Sequence, residues 1–267
     1  MALVDVVDAG FAYGARTIFD RVSFAVSPGE VFCLIGPNGC GKTTLLDCIL
    51  GLHGLRAGSI RVQDCDVDSL PAAQLARVLS YVPQKHERTF PYSVLDIVTM
   101  GRAVYVGMFA APTQADRSMA LEALEQLGIQ HLSNRPYTRL SGGETQLVMI
   151  ARALVQQTPV VIMDEPTAHL DFRYELLIME VITRLVKSGL SIIMATHFPN
   201  HAFYLQNSGV PTRIALMHDG DFLAVGAPDE VLDEARLKKL YGVNARVITL
   251  ENKGSKPMKH IVPLSSA

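Results

Sequence analysis

Apolar and β-branched runs alternate with amphipathic stretches along this chain, a pattern that predicts an α/β architecture. Glu30-Val31-Phe32-Cys33-Leu34-Ile35-Gly36 reads as a buried strand entering a glycine-rich turn, and Lys42 to Leu50 as the helix that follows. Pro159 to Asp164 and Ser191 to Thr196 are further short apolar runs bounded by turn formers. Uninterrupted runs of this kind suit strands buried on both faces of a parallel sheet. Leu3 to Phe11 and Thr17 to Val26 are more mixed and predict antiparallel strands. Asp219-Gly220 between Ile214-Ala215-Leu216-Met217 and Phe222-Leu223-Ala224-Val225 predicts a tight hairpin.

The middle of the chain changes period. Ser93 to Met100, Thr113 to Leu127 and Gly142 to Gln156 carry helical spacing, which predicts a helical subdomain over about 86–158 inserted into the α/β core. One domain is then expected over 1–250. The segment 251–267 has Lys253, Lys256 and Lys259 with little apolar pattern and is expected to be a loosely held tail.

Composition narrows the class. With 49% hydrophobic and 19% charged residues in 267, the chain can bury a sizeable core. The 24 basic and 26 acidic side chains leave a net charge of −2, which excludes a broadly basic nucleic-acid binder. A mean hydropathy of +0.22 raises membrane contact. Yet no apolar run approaches the ~20 residues of a span, and Met1-Ala2-Leu3-Val4-Asp5 lacks the form of a signal peptide. Cys33, Cys40, Cys48 and Cys65 form no Cys-x-x-Cys pair, as expected of a reduced, cytosolic protein.

Gly36-Pro37-Asn38-Gly39-Cys40-Gly41-Lys42-Thr43 fits the phosphate-binding pattern G-x-x-x-x-G-K-[ST], with Thr44 next in the helix. A triphosphate needs many donors at close range. Glycines let the backbone curl so that successive N–H groups face inward, and a helix start adds its positive dipole end. Lys42 supplies a mobile ammonium for the β- and γ-phosphates, and the Thr43 hydroxyl suits Mg²⁺. Cys40, inside this loop, is expected to have an activated thiol that nucleotide would protect. The loop predicts nucleotide binding without naming the reaction. Asn252-Lys253-Gly254-Ser255 is not the Asn-Lys-x-Asp guanine reader of a GTPase.

Leu140-Ser141-Gly142-Gly143-Glu144 is, locally, a capping box with Ser at the N-cap and Glu at the third helical position. Together with Val160-Val161-Ile162-Met163-Asp164-Glu165 downstream, it resembles the ATP-binding cassette (ABC) ATPases over nearly the whole chain. The resemblance implies a P-loop NTPase fold: a RecA-like parallel sheet, an N-terminal antiparallel β-subdomain and the inserted helical subdomain. It implies that the 140–144 signature meets the γ-phosphate held by a second copy, so that two chains head to tail close two ATP molecules between them. Asp164 would then hold Mg²⁺ through water, and Glu165 would polarise the attacking water as general base.

Other roles follow from the same resemblance. Ala168-His169-Leu170-Asp171 is similar to the D-loop at the dimer interface. Gln84 matches the glutamine that reaches Mg²⁺ and the water and links the core to the helices. His197 matches the switch histidine at the γ-phosphate, and its spacing to His201 invites a metal reading that no other ligand supports. Tyr13 matches the aromatic that stacks on adenine, with Phe11 as its competitor. Thr145, Phe198-Pro199 and the short insertion Ser208-Gly209-Val210-Pro211 depart from the usual pattern without removing a catalytic group.

Phe90 to Arg102, with Gly226 to Leu232 and Leu240 to Val247, resembles the ATPases of importers for ferric siderophores, haem, cobalamin and, in some members, molybdate or tungstate. The implied partners are a membrane permease and, through it, a substrate-binding protein, with the chain peripheral on the cytoplasmic face of the membrane. The alternative is a soluble ATPase of an assembly machine such as iron–sulfur biogenesis. Within 94–102, Asp96 and Arg102 are expected to face outward, because charged groups in an apolar helix usually do.

Overall fold

The computed structural model describes residues 2–86, 90–107, 110–251 and 257–267. Their backbone contacts divide into two compact units, Met1–Leu70 with Ile182–Ala267, and Pro71–Val181.

The first unit is built on β3 (Val31–Ile35), every residue of which is buried. It lies parallel between β8 (Ser191–Thr196) and β9 (Thr212–His218), with Ile35 opposite Thr196 on one side and Leu216 on the other. The continuous apolar composition of these strands follows from burial on both faces. β10 (Asp221–Gly226) returns antiparallel to β9 through Asp219 and Gly220. Both turn residues have positive φ, 49° and 79°, the geometry that selects Asp-Gly here. A second sheet has the order β2-β1-β4-β5, with β1 (Val4–Tyr13), β2 (Arg16–Val26), β4 (Ala57–Val62) and β5 (Cys65–Asp66) all antiparallel to their neighbours. The helices of this unit are α1 (Lys42–Ile49), α7 (Asn200–Asn207), α8 (Pro228–Val231) and α9 (Glu234–Tyr241).

The end of the chain departs from expectation. β11 (Val243–Leu250) and β12 (Met258–Ser266) form an antiparallel hairpin paired along their length, and Ala267 N–H donates to Gly242 C=O at 2.8 Å. The expected loose tail over 251–267 is therefore corrected over its described part. Ile261 and Ala245 are buried on the inner face of the hairpin, and those few apolar contacts are too sparse to show as a pattern in the sequence. Lys253 and Lys256 lie outside the described residues.

The second unit carries the parallel pair β6 (Leu79–Val82) and β7 (Val160–Asp164), with α2 (Ala72–Leu75), α3 (Val94–Thr99), α4 (Gln114–Gln126) and α5 (Gly142–Leu154). α6 (Phe172–Lys187) starts in this unit. The predicted helices begin at their caps: Ser93 Oγ accepts from Asp96 N–H at 3.1 Å, and Thr113 with Asp116 completes a capping box. After α5, Gln156 Nε2 donates to the carbonyls of Ala76 and Leu79, and Thr158 Oγ1 donates to Ser80 Oγ at 2.9 Å. These bonds fasten the helices to the strand pair.

Arg102 does not face outward as expected, whereas the Asp96 side chain is 36% exposed. Arg102 Nε donates to Asp116 Oδ1 at 3.0 Å with both side chains 11% exposed, and its Nη1 donates to Val155 C=O at 3.1 Å. The guanidinium also lies 4.0 Å over the Tyr105 ring. Asp96 accepts from Ser93 Oγ and pairs with Arg117 at 3.2 Å. A fork of donors can satisfy several elements at once, so here charge serves packing.

The Thr113 hydroxyl and backbone N–H, followed by Arg102, hold the Asp116 carboxyl near a pKa of about 2 instead of the ordinary 3.8. A carboxyl depressed in the folded state contributes stability above its ordinary pKa and loses that contribution as pH falls through its folded one. Acid titration from about pH 4 to about pH 2 should therefore loosen the helical unit, and Asp116→Asn should flatten that part of the curve. The check is helical circular dichroism against pH for both proteins. Parallel curves would remove Asp116 from the account.

Candidate functional site

β3 ends at Ile35 and the chain turns at once into the glycine loop. Gly36 N–H donates to Thr196 C=O at 3.4 Å. A Cβ at Gly36 would stand 2.3 Å from the Met217 carbonyl oxygen and 2.7 Å from Cys40 Sγ, so no side chain fits there. Gly39 and Gly41 have φ of 81° and 108°, and Gly41 is the left-handed N-cap of α1. Among the described residues no side chain caps this helix start. Asn38, Gly39 and Thr43 are exposed, Pro37 and Thr44 half-buried. Lys42 is 4% exposed. Its Nζ donates to Gly36 C=O at 2.8 Å and Pro37 C=O at 3.0 Å, so the ammonium is held inside the loop and spans its mouth. The Cys40 thiol is buried in the same turn and Cys65 is the exposed cysteine. The expectation that Cys40 offers an accessible reactive thiol is corrected on that ground.

Because Ile35 is level with Thr196, the strand register brings His197 to the same edge as Gly36. His197 is half-buried and its ring stacks near Phe198, centroids 3.9 Å apart. His201 is buried and its Nδ1 shares a hydrogen bond of 3.1 Å with Thr196 Oγ1. Among the described residues no group of three or more His, Cys, Asp or Glu could hold a metal ion. At the end of β1 the two aromatics separate. Phe11 is buried and stacked on His53, whereas Tyr13 is 51% exposed and its hydroxyl meets His53 Nε2 at 3.1 Å.

In the second unit β7 delivers Asp164 and Glu165, 2% and 9% exposed. Glu165 has φ of 45°, a strained value for a non-glycine residue that occurs where the surroundings fix a side chain's direction. Gln84 Nε2 donates to Glu165 Oε2 at 3.0 Å, which couples the residue after β6 to the carboxylate after β7. His169 also has positive φ, 63°, in the turn Ala168-His169-Leu170-Asp171, where His169 and Asp171 are exposed and Ala168 and Leu170 half-buried. Asp171 Oδ1 accepts from Tyr174 N–H at 2.9 Å at the start of α6.

The pentapeptide 140–144 forms the start of α5. Glu144 Oε2 accepts from Ser141 N–H at 2.7 Å, and Ser141 Oγ accepts from Glu144 N–H at 3.3 Å. The Ser141 backbone donor, with Arg135 nearby, holds the Glu144 carboxyl below the usual range. Leu140 is buried and anchors the turn, whereas Ser141 and Gly142 are exposed. A Cβ at Gly143 would lie 2.1 Å from the Tyr174 ring, so the second glycine is demanded by α6 packing against α5. Sequence reasoning did not find Tyr174, His53, Asn200 or Tyr241. Each acts through a contact distant along the chain, and spacing carries no signal for that.

Residues 19–168 match the family model described as ABC transporter. The hemin import ATP-binding protein of Bordetella pertussis is 35% identical, over 89% of this chain and 91% of its own. The molybdate import ATP-binding protein of Haemophilus influenzae is 35% identical, over 76% of each chain. A structure of the inward-facing conformation of a metal-chelate type ABC transporter superposes with a TM-score of 0.87 at 31% identity, covering 98% of this chain and 97% of that one. The P-loop ABC ATPase fold, with its mixed parallel sheet, antiparallel sheet and helices, is therefore the fold of this chain.

Gly143→Ala tests the demand for glycine. It should force the Tyr174 ring aside and destabilise the chain by about 1–3 kcal/mol. Tyr174→Ala in the same chain should recover most of that loss. Thermal unfolding of the single and double variants decides, and additive losses would show that the two residues do not meet.

Proposed function

The chain belongs to the family of ABC transporter ATP-binding proteins, and from that membership we propose that it powers import of a metal chelate or a related substrate through a membrane permease. The cargo class is ferric siderophore, haem or cobalamin, with molybdate or tungstate next. Relatives carrying hemin and molybdate import names support that range over an assembly-machine role. Among the described residues no helix is long and apolar enough to cross a membrane, so the translocation path falls to partner subunits. The chain would sit peripherally on the cytoplasmic face of the membrane.

The observation that carries the reading is the exposure of Ser141 and Gly142 at the start of α5, in a chain that also carries a phosphate loop of complete pattern. Two anion-accepting helix starts in one chain suit a pair of copies, each offering its signature to the other's nucleotide. Residues 36–44 would cradle the phosphates of ATP, and Lys42 would leave its carbonyl partners to meet the β- and γ-oxygens. Tyr13 would stack on adenine, since it is exposed whereas Phe11 is buried and stacked on His53.

Thr43, Asp164 and Gln84 are all oxygen donors, the ligand type Mg²⁺ takes. With no all-protein cluster among the described residues, the ion would depend on the phosphate oxygens as well. Mg²⁺, when bound, neutralises charge developing on those oxygens. Glu165, steered by Gln84, would accept the proton of the attacking water, and His197 would donate to the γ-phosphate. Residues 168–171 would lie along the junction of the two copies.

Lys42→Ala should lose most ATP binding and nearly all hydrolysis, because it removes the loop's ammonium. Phosphate release by the purified full chain measures this, and near-wild-type turnover would remove the loop from the mechanism. Glu165→Gln keeps the shape but cannot accept a proton. It should bind ATP, turn over at least about a hundredfold slower, and gather as a dimer when ATP is added. Sedimentation with and without ATP reads the association, and a monomer under both conditions would count against the two-copy arrangement.

A further inference from the structure

The segment that carries His197 is held at three points, by α9 and by the C-terminal hairpin. Tyr241, the last residue of α9, donates its hydroxyl to His197 C=O at 2.9 Å. Asn200, the first residue of α7, treats β12 as a neighbouring strand: its Oδ1 accepts from Ile261 N–H at 2.7 Å and its Nδ2 donates to Ile261 C=O at 3.1 Å. At the other end of α7, Gln206 Nε2 donates to Asp229 at 2.8 Å, and Asp229 pairs with Lys259 of β12 at 2.8 Å. α7 is thus laid along the hairpin by both of its ends.

These bonds fall on a segment with little sheet support of its own. β8 ends at Thr196, and between it and α7 lie only His197, Phe198 and Pro199. Within the turn, Thr196 Oγ1 accepts from Phe198 N–H at 3.1 Å and meets His201. That bond fixes the fold of the turn. Tyr241 bonds the His197 backbone directly and Asn200 fixes the start of α7 just after it, and the anchors of both are firm. Leu237 and Leu240 of α9 are buried, and Ile261 is 6% exposed.

We infer that Tyr241 and Asn200 are positioning residues for ATP hydrolysis, through which α9 and the C-terminal hairpin set where the His197 imidazole stands. This rests on the reading above that His197 meets the γ-phosphate. A hydrogen bond that aligns a catalytic group acts chiefly on the transition state, where small misplacements are costly. Loss of either support should therefore lower kcat and leave ATP affinity nearly unchanged. The hairpin thereby becomes part of the hydrolytic machinery although it contributes no residue to the nucleotide.

The test uses the full chain with Tyr241→Phe, which deletes one hydroxyl, and Asn200→Asp. The aspartate keeps the size and suits a helix start, but it cannot donate to Ile261 C=O. Each should lower kcat by about threefold to tenfold, as expected for one hydrogen bond. KM and the melting temperature should stay near wild type, and amide exchange over 197–203 should quicken by a similar factor. Wild-type kcat together with unchanged exchange would overturn the inference. So would a fall in kcat accompanied by a lower melting temperature and faster exchange throughout, which would show a merely structural role. Lys42→Ala in the same assay separates the two levels. If hydrolysis survives that change, the phosphate-loop reading fails, and the exchange data still decide whether the hairpin holds the 197–203 segment.

Discussion

The register of β3 between β8 and β9 is the constraint on which the first unit depends. Ile35 stands level with Thr196 and with Leu216, so three parallel strands end on one line. That line fixes the origin of the glycine loop, the turn carrying His197 and the Met217 carbonyl that forbids a side chain at Gly36. A slip of one residue would send every side chain of a strand to its opposite face. Strands buried on both faces tolerate no such slip when each position is already filled.

The second unit solves a different problem. It holds buried carboxylates together with a helix start that stays exposed. Glu165 is held at a positive φ with Gln84 on its carboxylate. Ser141 and Glu144 satisfy one another at the start of α5, which leaves Gly142 uncovered. Around these points the unit is fastened by polar side chains reaching distant backbone, notably Gln156 and Arg102. A buried arginine with several acceptors is a packing device as much as a charge, which is why Arg102 serves the interior of the helices and not their outer face.

The hairpin of β11 and β12 extends the same economy to the end of the chain. Its inner face contributes few apolar side chains, and its hold on α7 is made through Asn200, Asp229 and Lys259. Polar ties of this kind orient a segment more sharply than they stabilise it, since each exchanges a bond to water for a bond to protein. Such ties suit a turn that must be placed accurately and still respond when a ligand arrives.

The glycine loop, the strand runs, the helix starts at Ser93, Thr113 and Ser141, and the Asp-Gly hairpin were legible in the chain itself. Each depends on backbone conformations that only certain residues adopt, or on periodic burial within one element. Those are local properties, written where they act. The exposure of Tyr13 beside a buried Phe11, the burial of Cys40 and Arg102, the demand of Tyr174 for Gly143, and the docking of 258–266 beside α7 were decided only by tertiary structure. In every one of these cases the deciding partner is distant along the chain. The physical reason is the same throughout: exposure and hydrogen-bond partnership belong to pairs of residues, and a sequence lists residues one at a time.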